Sequence, residues 1–329
     1  MPADAATATV ATLGGETMGT TWSVRLSAAR NADLHAVHAG IHGQLDLVVR
    51  QMSTWQADSD ISRYNHADAG RWLRIPAEFF AVLECARAIA HASDGAFDPS
   101  VGALVGAWGF GADAGPPHAP AAAQLDAARA SVDWRRIQLR QDSSYAGACE
   151  VLQPGGLRLD LSAIAKGFAV DLVVDYLRDA GIAGALVEIG GELSGYGRKP
   201  DGTAWRVLVE AGPEEDDHRL PPRVLELDGI AVATSGDRWH HYERDGRRYT
   251  HTIDPRSGDP VEHAPMAVTV VAQQAMHADG WATALTVLGA DAGFALAERQ
   301  ALAVRYLVRT PDGSLRERMT AAFQTHLAP

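Results

Sequence analysis

Two short segments of the sequence place a carboxylate beside groups that suit a ligand rich in charged oxygens. A predicted strand ends at Asp160 and a helix follows, so free N–H groups at the helix start favour an anion, to which Lys166 adds a positive charge. Asp279 and Thr283 are four residues apart and share one face of a helix, and a carboxylate with a hydroxyl is oxygen ligation suited to Mg²⁺. The alternatives are an ordinary Ser162 cap with an exposed lysine, and a solvated aspartate with a backbone-bonded threonine.

Two other turns carry polar groups that chemistry could use. His251 ends a predicted strand and could carry a proton near neutral pH, with Asp254 in the following Pro/Gly turn orienting a neighbour or the turn itself. An Asp-Pro turn with a cross-strand histidine is the alternative. Residues 233–237 form a small-residue turn after another strand, and the N–H groups of such a turn could meet phosphate oxygens.

The common nucleotide fingerprints are absent. The sequence has no G-x-x-x-x-G-K-[ST], and its nearest approach to G-x-G-x-x-G, at Gly109 and Gly111, leads into a Pro-rich loop instead of a helix. HExxH, G-x-S-x-G and CxxC are absent as well. Any nucleotide site in this chain is therefore built on a scaffold other than the P-loop or the Rossmann fold.

A stripe of His35, His38 and His42 on a predicted helix could present a metal, with a solvated helix flank as the alternative.

Composition limits the partners and the class of protein. The 329 residues carry 29 Lys+Arg against 41 Asp+Glu, a net charge of -12, which argues against a nucleic-acid partner. Apolar residues make up 47% of the chain, enough for a sizeable core, and no run approaches the ~20 apolar residues of a membrane span. Two cysteines, Cys85 and Cys149, favour buried thiols over a single disulfide.

The elements that must position these residues follow from apolar periodicity. Helical spacing predicts helices over residues 34–50, 76–91, 163–180, 275–288 and 292–299. Strand-like runs lie at 14–26, within 134–161, and at 185–189, 204–210, 224–227, 230–234, 249–253, 267–272, 303–308 and 315–319. Polar residues 56–65 predict a loop with helix-cap chemistry. Because strands and helices come in runs and do not alternate strictly, we expect an α+β fold.

Together with other short motifs, these segments form an ordered series. The series is Met18-Gly19-Thr20; Met52 to Trp55 with Ser59, Ile61 and Asn65; residues 95–99; 108–110; 160–167; 188–192; 234–237; 251–258; and 278–279 with 282–283. It resembles, in order, the motifs of the ApbE family, the FAD:protein FMN transferases, and it extends from about residue 14 to 310.

The resemblance implies a particular architecture. We expect an ApbE-like body of two intimate lobes, with mixed or antiparallel sheets and flanking helices, and an FAD cleft between the lobes that is not of the Rossmann type. The expected domain covers residues 14–320, preceded by a disordered segment over 1–13 and followed by a tail over 321–329.

The resemblance also implies roles for individual residues. Those expected to bind FAD are Met18 and Trp55 at the flavin, Ala96, Phe97 and Asp98 on the adenosine side, and Asp160, Lys166 and Ile253 along the dinucleotide. The expected metal ligands are the side chains of Asp279 and Thr283 and the backbone carbonyls of Ala163 and Ala282. The expected catalytic residues are His251 as proton acceptor, Asp254 as its helper, and Lys166.

The implied function is the Mg²⁺-dependent transfer of the FMN half of FAD to a threonine or serine hydroxyl of a target protein, with release of AMP. A Mg²⁺-dependent FAD pyrophosphatase is the alternative, and an FAD-storage protein without turnover is a third hypothesis. The expected acceptor is a subunit of a redox complex or an FMN-binding domain. Because the first dozen residues have no charged n-region and no apolar core, we expect a cytoplasmic protein, or a periplasmic one if a leader has been removed.

Overall fold

The structure of the protein, a computed structural model, describes residues 8–112, 118–142, 148–209, 220–236, 241–244, 247–250, 252–261, 265–310 and 314–328. The strands are β1 (Thr9–Thr17), β2 (Thr20–Ala28), β3 (Arg71–Ile75), β4 (Gln138–Asp142), β5 (Ala148–Gln153), β6 (Ala185–Ile189), β7 (Glu192–Tyr196), β8 (Trp205–Val209), β9 (Arg223–Leu227), β10 (Ile230–Ser235), β11 (His241–Arg244), β12 (Arg247–Thr250), β13 (Ala267–Ala272), β14 (Ala303–Arg309) and β15 (Leu315–Met319). The helices are α1 (Leu34–Met52), α2 (Asp60–Asn65), α3 (Ala77–Ala92), α4 (Gly102–Ala107), α5 (Ala122–Arg129), α6 (Ala165–Asp179), α7 (Ala275–Arg299) and α8 (Ala321–Gln324).

A single large sheet organises the described residues. Its eight strands follow the order β1-β2-β6-β7-β10-β13-β14-β15, and each neighbouring pair is antiparallel. Three smaller sheets, β3-β5-β4, β8-β9 and β11-β12, stand apart from it. The arrangement of antiparallel sheets with grouped helices confirms the α+β prediction.

The two faces of the large sheet pack against different partners because successive side chains of a strand point to opposite sides. On β6, Val187 faces the main core, which includes buried residues of α1, α3, α6 and α7. Its neighbour Leu186 faces a second core, formed with Trp205 of the β8–β9 hairpin and Phe323 of α8. A third, smaller cluster joins α4 and α5 to Ile253.

Helix α7 crosses the centre of the main core. It is interrupted at Gly289, where φ is 76° and ψ is 178°, which confirms the two helices expected on either side of that residue. Within the described residues, α7 is the one helix whose length and hydropathy would allow it to span a membrane, and half of its most apolar window is buried inside the protein. Its packing against α6, β10 and β13 accounts for its apolar composition.

The N-terminal region differs from the prediction. The strand expected over 14–26 is a hairpin, in which β1 pairs with β2 from Thr9 opposite Ala28 to Thr17 opposite Thr20. The expected disordered segment is therefore wrong for residues 9–13. Apolar alternation marks β2 alone, because β1 is an edge strand rich in threonine and glycine with most of its outward side chains exposed. The turn is made by Met18 and Gly19, both at positive φ.

Two further expectations need correction. Residues 321–328 are not a loose tail: Thr320 caps α8 and Phe323 is fully buried in the second core. The loop expected over 56–65 contains α2, whose N-cap Ser59 accepts the N–H of Ser62 at 3.1 Å. Both elements are only a few residues long, so their periodicity was too short to read. Cys85 and Cys149 are buried and form no disulfide, which confirms that prediction.

Candidate active site

The starts of α6 and α7 meet at Gly167 and Asp279. Asp279 lies in the second turn of α7 and is 3% exposed, and its Oδ2 accepts the backbone N–H of Gly167 at 3.0 Å. A Cβ on Gly167 would lie 2.3 Å from the carbonyl oxygen of Ala275 and 2.8 Å from the Asp279 Cβ. The position must therefore be glycine for the two helices to approach this closely.

Lys166 pairs with Glu192 beside this crossing. The Lys166 Nζ lies 2.5 Å from the Glu192 Oε1, and Glu192, the first residue of β7, is 4% exposed. The other carboxylate oxygen of Glu192 is buried and accepts no hydrogen bond from the described residues. The lysine side chain passes Gly190, where a Cβ would lie 3.3 Å from the Lys166 Cδ and 2.9 Å from the Thr20 Cγ2. The β1–β2 turn that contains Met18 therefore lies on the same side of the sheet edge as Lys166.

One ammonium faces two carboxylates in this buried centre. Burial and the Asp279 charge raise the pKa of Glu192, and Lys166 lowers it by a smaller amount. Burial also raises the pKa of Asp279, against the attraction of Lys166 and the Gly167 N–H. Burial disfavours the ammonium of Lys166, but Asp279 and Glu192 outweigh it and raise the pKa of the lysine. With both carboxylates ionised the centre would carry one net negative charge, which a bound cation would balance.

Thr283 lies one turn beyond Asp279 on α7 and is in contact with the end of β10. Its Oγ1 is 3.3 Å from the Ser235 Oγ, and Gly236 follows at a position where a Cβ would lie 2.2 Å from the carbonyl oxygen of Met266. The predicted phosphate turn at 233–237 is thus adjacent to the predicted metal ligand, although Asp237 lies outside the described residues. The carbonyl of Ala282, another predicted ligand, accepts the Thr286 hydroxyl at 2.8 Å.

A cavity of about 520 Å³ lies among α2, α4, α5 and the segment before α6. Its lining includes Thr54, Asn65, Gly106, Ala128 and Asp160. The Asp160 Oδ1 accepts the N–H of Ser162 at 2.9 Å, so the carboxylate also orders the turn that leads from the cavity to Lys166. The cavity and the lysine centre are therefore joined by the seven-residue segment 160–166.

Two predicted FAD contacts lie next to this cavity. Trp55 follows the lining residue Thr54 and is 73% exposed, so its ring is accessible to a planar partner. Ile253 is buried with Leu104 and Ala128, behind the cavity wall. The Trp108 indole N–H donates to the carbonyl of Gly258 at 2.8 Å and fixes the turn after Ile253 against α4.

Other predicted site residues have roles within the protein. The Asp98 carboxylate is buried and accepts both the N–H and the hydroxyl of Ser100, at 2.8 and 2.6 Å, and the N–H of Trp134 at 3.1 Å. Its side chain thus orders the segment that contains the buried Ala96 and Phe97. The Asp254 carboxylate is held by the guanidinium of Arg256, at 2.9 and 2.7 Å. His251, the histidine that Asp254 was expected to help, lies outside the described residues.

The histidine stripe on α1 packs against an aromatic ring. The centroids of His38 and His42 lie 5.3 and 5.4 Å from that of Trp22, and 4.7 Å from each other. No group of three or more His, Cys, Asp or Glu side chains suited to a metal occurs within the part of the chain that the structure describes. The oxygen set of Asp279 and Thr283 remains the predicted metal site.

The sequence prediction missed Glu192 and Ser235 as site residues. Glu192 appeared only as the end of a glycine motif, and Ser235 only as part of a turn. The signal that could have found Glu192 is a carboxylate placed directly after the Gly190-Gly191 turn, at the end of a buried strand where ligands often bind. Pairing with Lys166 needs the tertiary structure, because neither residue is near the other in the chain.

Comparison with known proteins gives the family. The model of the ApbE family matches residues 18–307. An FAD:protein FMN transferase of Vibrio cholerae is 36% identical over 317 residues, covering 96% of this chain and 92% of the relative. The enzyme of the same name from Escherichia coli K12 is 32% identical over 329 residues, covering 99% and 92%. The chain belongs to the ApbE family.

Solved structures agree with this assignment. The flavinyl transferase ApbE of Pseudomonas stutzeri, in its apo form, matches with a TM-score of 0.88 at 37% identity, covering 99% of both chains. The flavin transferase ApbE of Vibrio cholerae matches with a TM-score of 0.86 at 36% identity, covering 97% of this chain and 100% of that one. These matches confirm the predicted ApbE-like fold.

Proposed function

We propose that this protein transfers the FMN half of FAD to a threonine or serine hydroxyl of a target protein, in a Mg²⁺-dependent reaction that releases AMP. The observation that carries the proposal is the buried centre of Lys166, Glu192 and Asp279, joined by a short segment to a cavity, in a chain of the ApbE family. The cavity side would hold the dinucleotide, with Trp55 stacking on a ring and Asp160 contacting a polar group.

The donor set at α7 fits Mg²⁺. Asp279 offers a carboxylate and Thr283 a hydroxyl, with the carbonyls of Ala163 and Ala282 as further oxygens, and hard cations prefer oxygen ligands. The presence of two carboxyls beside one ammonium gives a second reason for a cation there, because a bound cation would balance the charge of the ionised pair. A Mg²⁺ held by these residues would supply positive charge to balance the pyrophosphate of FAD and the departing AMP.

The protein's own residues would position the reacting groups. Lys166 is directed by Glu192 to a place where its ammonium can contact a phosphate oxygen. The acceptor oxygen forms a bond to the FMN phosphorus, the bond from that phosphorus to the AMP oxygen breaks, and the hydroxyl proton passes to His251. Asp254, engaged with Arg256, would serve by holding the turn that follows His251.

Incubation of the protein with FAD, Mg²⁺ and an FMN-acceptor domain tests the proposal. We expect covalent FMN on the acceptor, seen by intact mass and in-gel fluorescence, with one AMP per label and no reaction in EDTA. An acceptor whose threonine is replaced by valine is the control. AMP and free FMN without label would instead favour the pyrophosphatase, and FAD binding without product or metal dependence would favour storage.

A further inference from the structure

Helix α7 begins without a cap from its own side chains. Gln274 is its N-cap residue and makes no side-chain hydrogen bond to the helix. The first N–H groups are satisfied from α6: the N–H of Ala275 donates to the Asp171 Oδ1 at 2.7 Å, and the N–H of Met276 donates to the Oδ2 at 2.9 Å. A carboxylate from another helix thus replaces the missing cap.

The start of α6 is completed in the reverse direction. Ile164, its N-cap residue, makes no side-chain cap, and the N–H of Gly167 in the first turn donates to Asp279 of α7. Each helix therefore caps the other. Asp171 follows Gly167 by four residues and Asp279 follows Ala275 by four, so facing turns of the two helices supply one carboxylate each.

This reciprocal capping fixes how α7 lies on α6. A shift of α7 along its axis, or a rotation about it, would break both hydrogen bonds to Asp171, and the close contact at Gly167 leaves no room for a compensating tilt. Asp279 is one turn from the capped residues, so its distance from Lys166 and the direction of its free oxygen depend on that anchoring.

We propose that Asp171 is a positioning residue for the metal site formed by Asp279 and Thr283. It would not touch the metal, and it acts by holding the first turn of α7 on α6. The inference rests on the proposed function, since it takes Asp279 to be a metal ligand. Loss of a direct hydrogen-bond partner of a metal ligand weakens metal binding about 10–100-fold, and because Asp171 holds the backbone one turn before the ligand we expect an effect at the lower end of that range.

Binding of Mn²⁺, a paramagnetic substitute for Mg²⁺, provides a readout apart from activity. Free Mn²⁺ is measured by electron paramagnetic resonance in titrations of wild type, Asp171→Ala, Asp171→Asn and Asp279→Ala. We expect Asp171→Ala to weaken binding about tenfold and Asp171→Asn to weaken it less, because the amide keeps one acceptor oxygen. At saturating metal the turnover of both variants should return to within a few-fold of wild type.

Asp33→Ala is the matched control. Asp33 caps α1 by accepting the N–H of Ala36 at 3.0 Å, so this variant also loses a carboxylate cap, on a helix outside the proposed site of Asp279 and Thr283. Its Mn²⁺ affinity should equal that of wild type.

The possible failures are distinguishable. If Asp279→Ala binds Mn²⁺ like wild type, or if wild type binds no Mn²⁺, the metal placement and the role of Asp171 both fail. If Asp279→Ala abolishes binding but folded Asp171→Ala binds like wild type, only the role of Asp171 is overturned. Should Asp171→Ala not fold, judged by circular dichroism, Asp171→Asn decides, and unchanged affinity in that variant overturns the proposal.

Discussion

The ammonium of Lys166 is held 2.5 Å from the carboxylate of Glu192, a residue that begins a strand directly after two glycines. Lys166 and Lys199 are the two lysines of a chain that otherwise uses arginine for its basic residues. A lysine presents a compact charge on a flexible stem, whereas arginine presents a planar fork. The pair therefore holds the lysine ammonium between the first turn of α6 and the start of β7, where it could donate a hydrogen bond to a phosphate oxygen.

Removal of Glu192 should destabilise the protein because it leaves the lysine without its nearest counterion. Breaking a fully buried pair costs about 3–5 kcal/mol, and because the Lys166 side chain is 30% exposed and also attracted to Asp279, the cost should fall to about 2 kcal/mol for Glu192→Ala, measured by urea unfolding. The exposed pair Arg206 and Glu226, also 2.5 Å apart, is the control. Glu226→Ala should cost less than about 1 kcal/mol, and equal losses would contradict the assignment of Lys166 and Glu192 as a buried pair.

Asp279→Ala should remove nearly all Mg²⁺-dependent transfer. The variant loses the one carboxylate of the predicted metal site and the acceptor for the Gly167 N–H. Initial rates measured over a range of Mg²⁺ concentrations, with Asp33→Ala as a folded comparison, check this. Transfer that keeps the wild-type Mg²⁺ dependence would show that the metal binds elsewhere.

His251→Ala should slow transfer by about 10²–10⁴-fold and leave residual activity, because general-base help is lost while the phosphate contacts remain. The measurement is covalent FMN formed per unit time at saturating acceptor. Since the residue should act on the acceptor proton, FAD affinity, measured by fluorescence, should stay near wild type. A variant with full transfer, or one that no longer binds FAD, would assign His251 another role.

Stability should rise as the pH falls from 7.5 to 5 in EDTA. Burial, assisted by the charges of Asp175 and Asp279, raises the pKa of Asp171 to about 6 against the two backbone hydrogen bonds it accepts. The folded state therefore binds this proton more tightly than the unfolded state, whose carboxyl titrates near 3.8, so protonation near pH 6 favours the folded state.

The expected gain from Asp171 over this range is about 1.4 kcal/mol, because pH 5 lies one unit below its folded pKa of about 6 and one pKa unit corresponds to about 1.4 kcal/mol. Chemical denaturation at several pH values measures it. Asp171→Asn should reduce the rise by this amount, and a variant whose pH dependence equals that of wild type would contradict the raised pKa of Asp171.

The small number of lysines permits a direct test of the Lys166 environment. Reductive methylation with ¹³C-formaldehyde gives one dimethyllysine signal from each lysine and keeps both positive charges. FAD with Mg²⁺ should shift the Lys166 resonance. Lys199, whose Nζ lies 5.7 Å from the centre of the Trp205 ring in the β8 hairpin, should stay unchanged and serve as an internal reference. A response confined to Lys199 would exclude Lys166 as a phosphate contact.

Local sequence signals predicted the parts of the site that depend on one element. The spacing of Asp279 and Thr283 was enough to place them on one helix face, and the helix predicted over 163–180 placed Lys166 at a helix start. The strand predicted to end at Asp160 was wrong, because β5 ends at Gln153 and only an isolated bridge at Arg158 lies between it and α6. Strands of the large sheet such as β6 and β13 were predicted individually because their residues are mostly apolar, whereas their order in the sheet was not. Short or polar elements were missed. β1 has little apolar alternation, and α2 has only six residues, too few for helical periodicity, so its N-cap Ser59 was the one sequence signal for it.

Relationships between distant segments could not be predicted. Asp171 looks like an ordinary polar residue on a helix until α7 lies against it, and the role of Glu192 depends on Lys166 reaching across the sheet edge. Asp98 shows the opposite case, because a carboxylate expected near the ligand is occupied by Ser100 and Trp134. A single sequence gives the types of the polar groups, whereas their partners depend on which segments meet in the folded chain.

The exchange of caps between α6 and α7 has a consequence for biosynthesis. The hydrogen bond from Ala275 to Asp171 joins residues 104 positions apart, so neither helix start is complete until the later segment has left the ribosome. Until then the emerging α6 lacks its partner and the chain has no Asp279 to bind a metal. A product truncated before α7 is thus without a functional centre, and the nascent chain is unable to act on FAD before it is nearly finished.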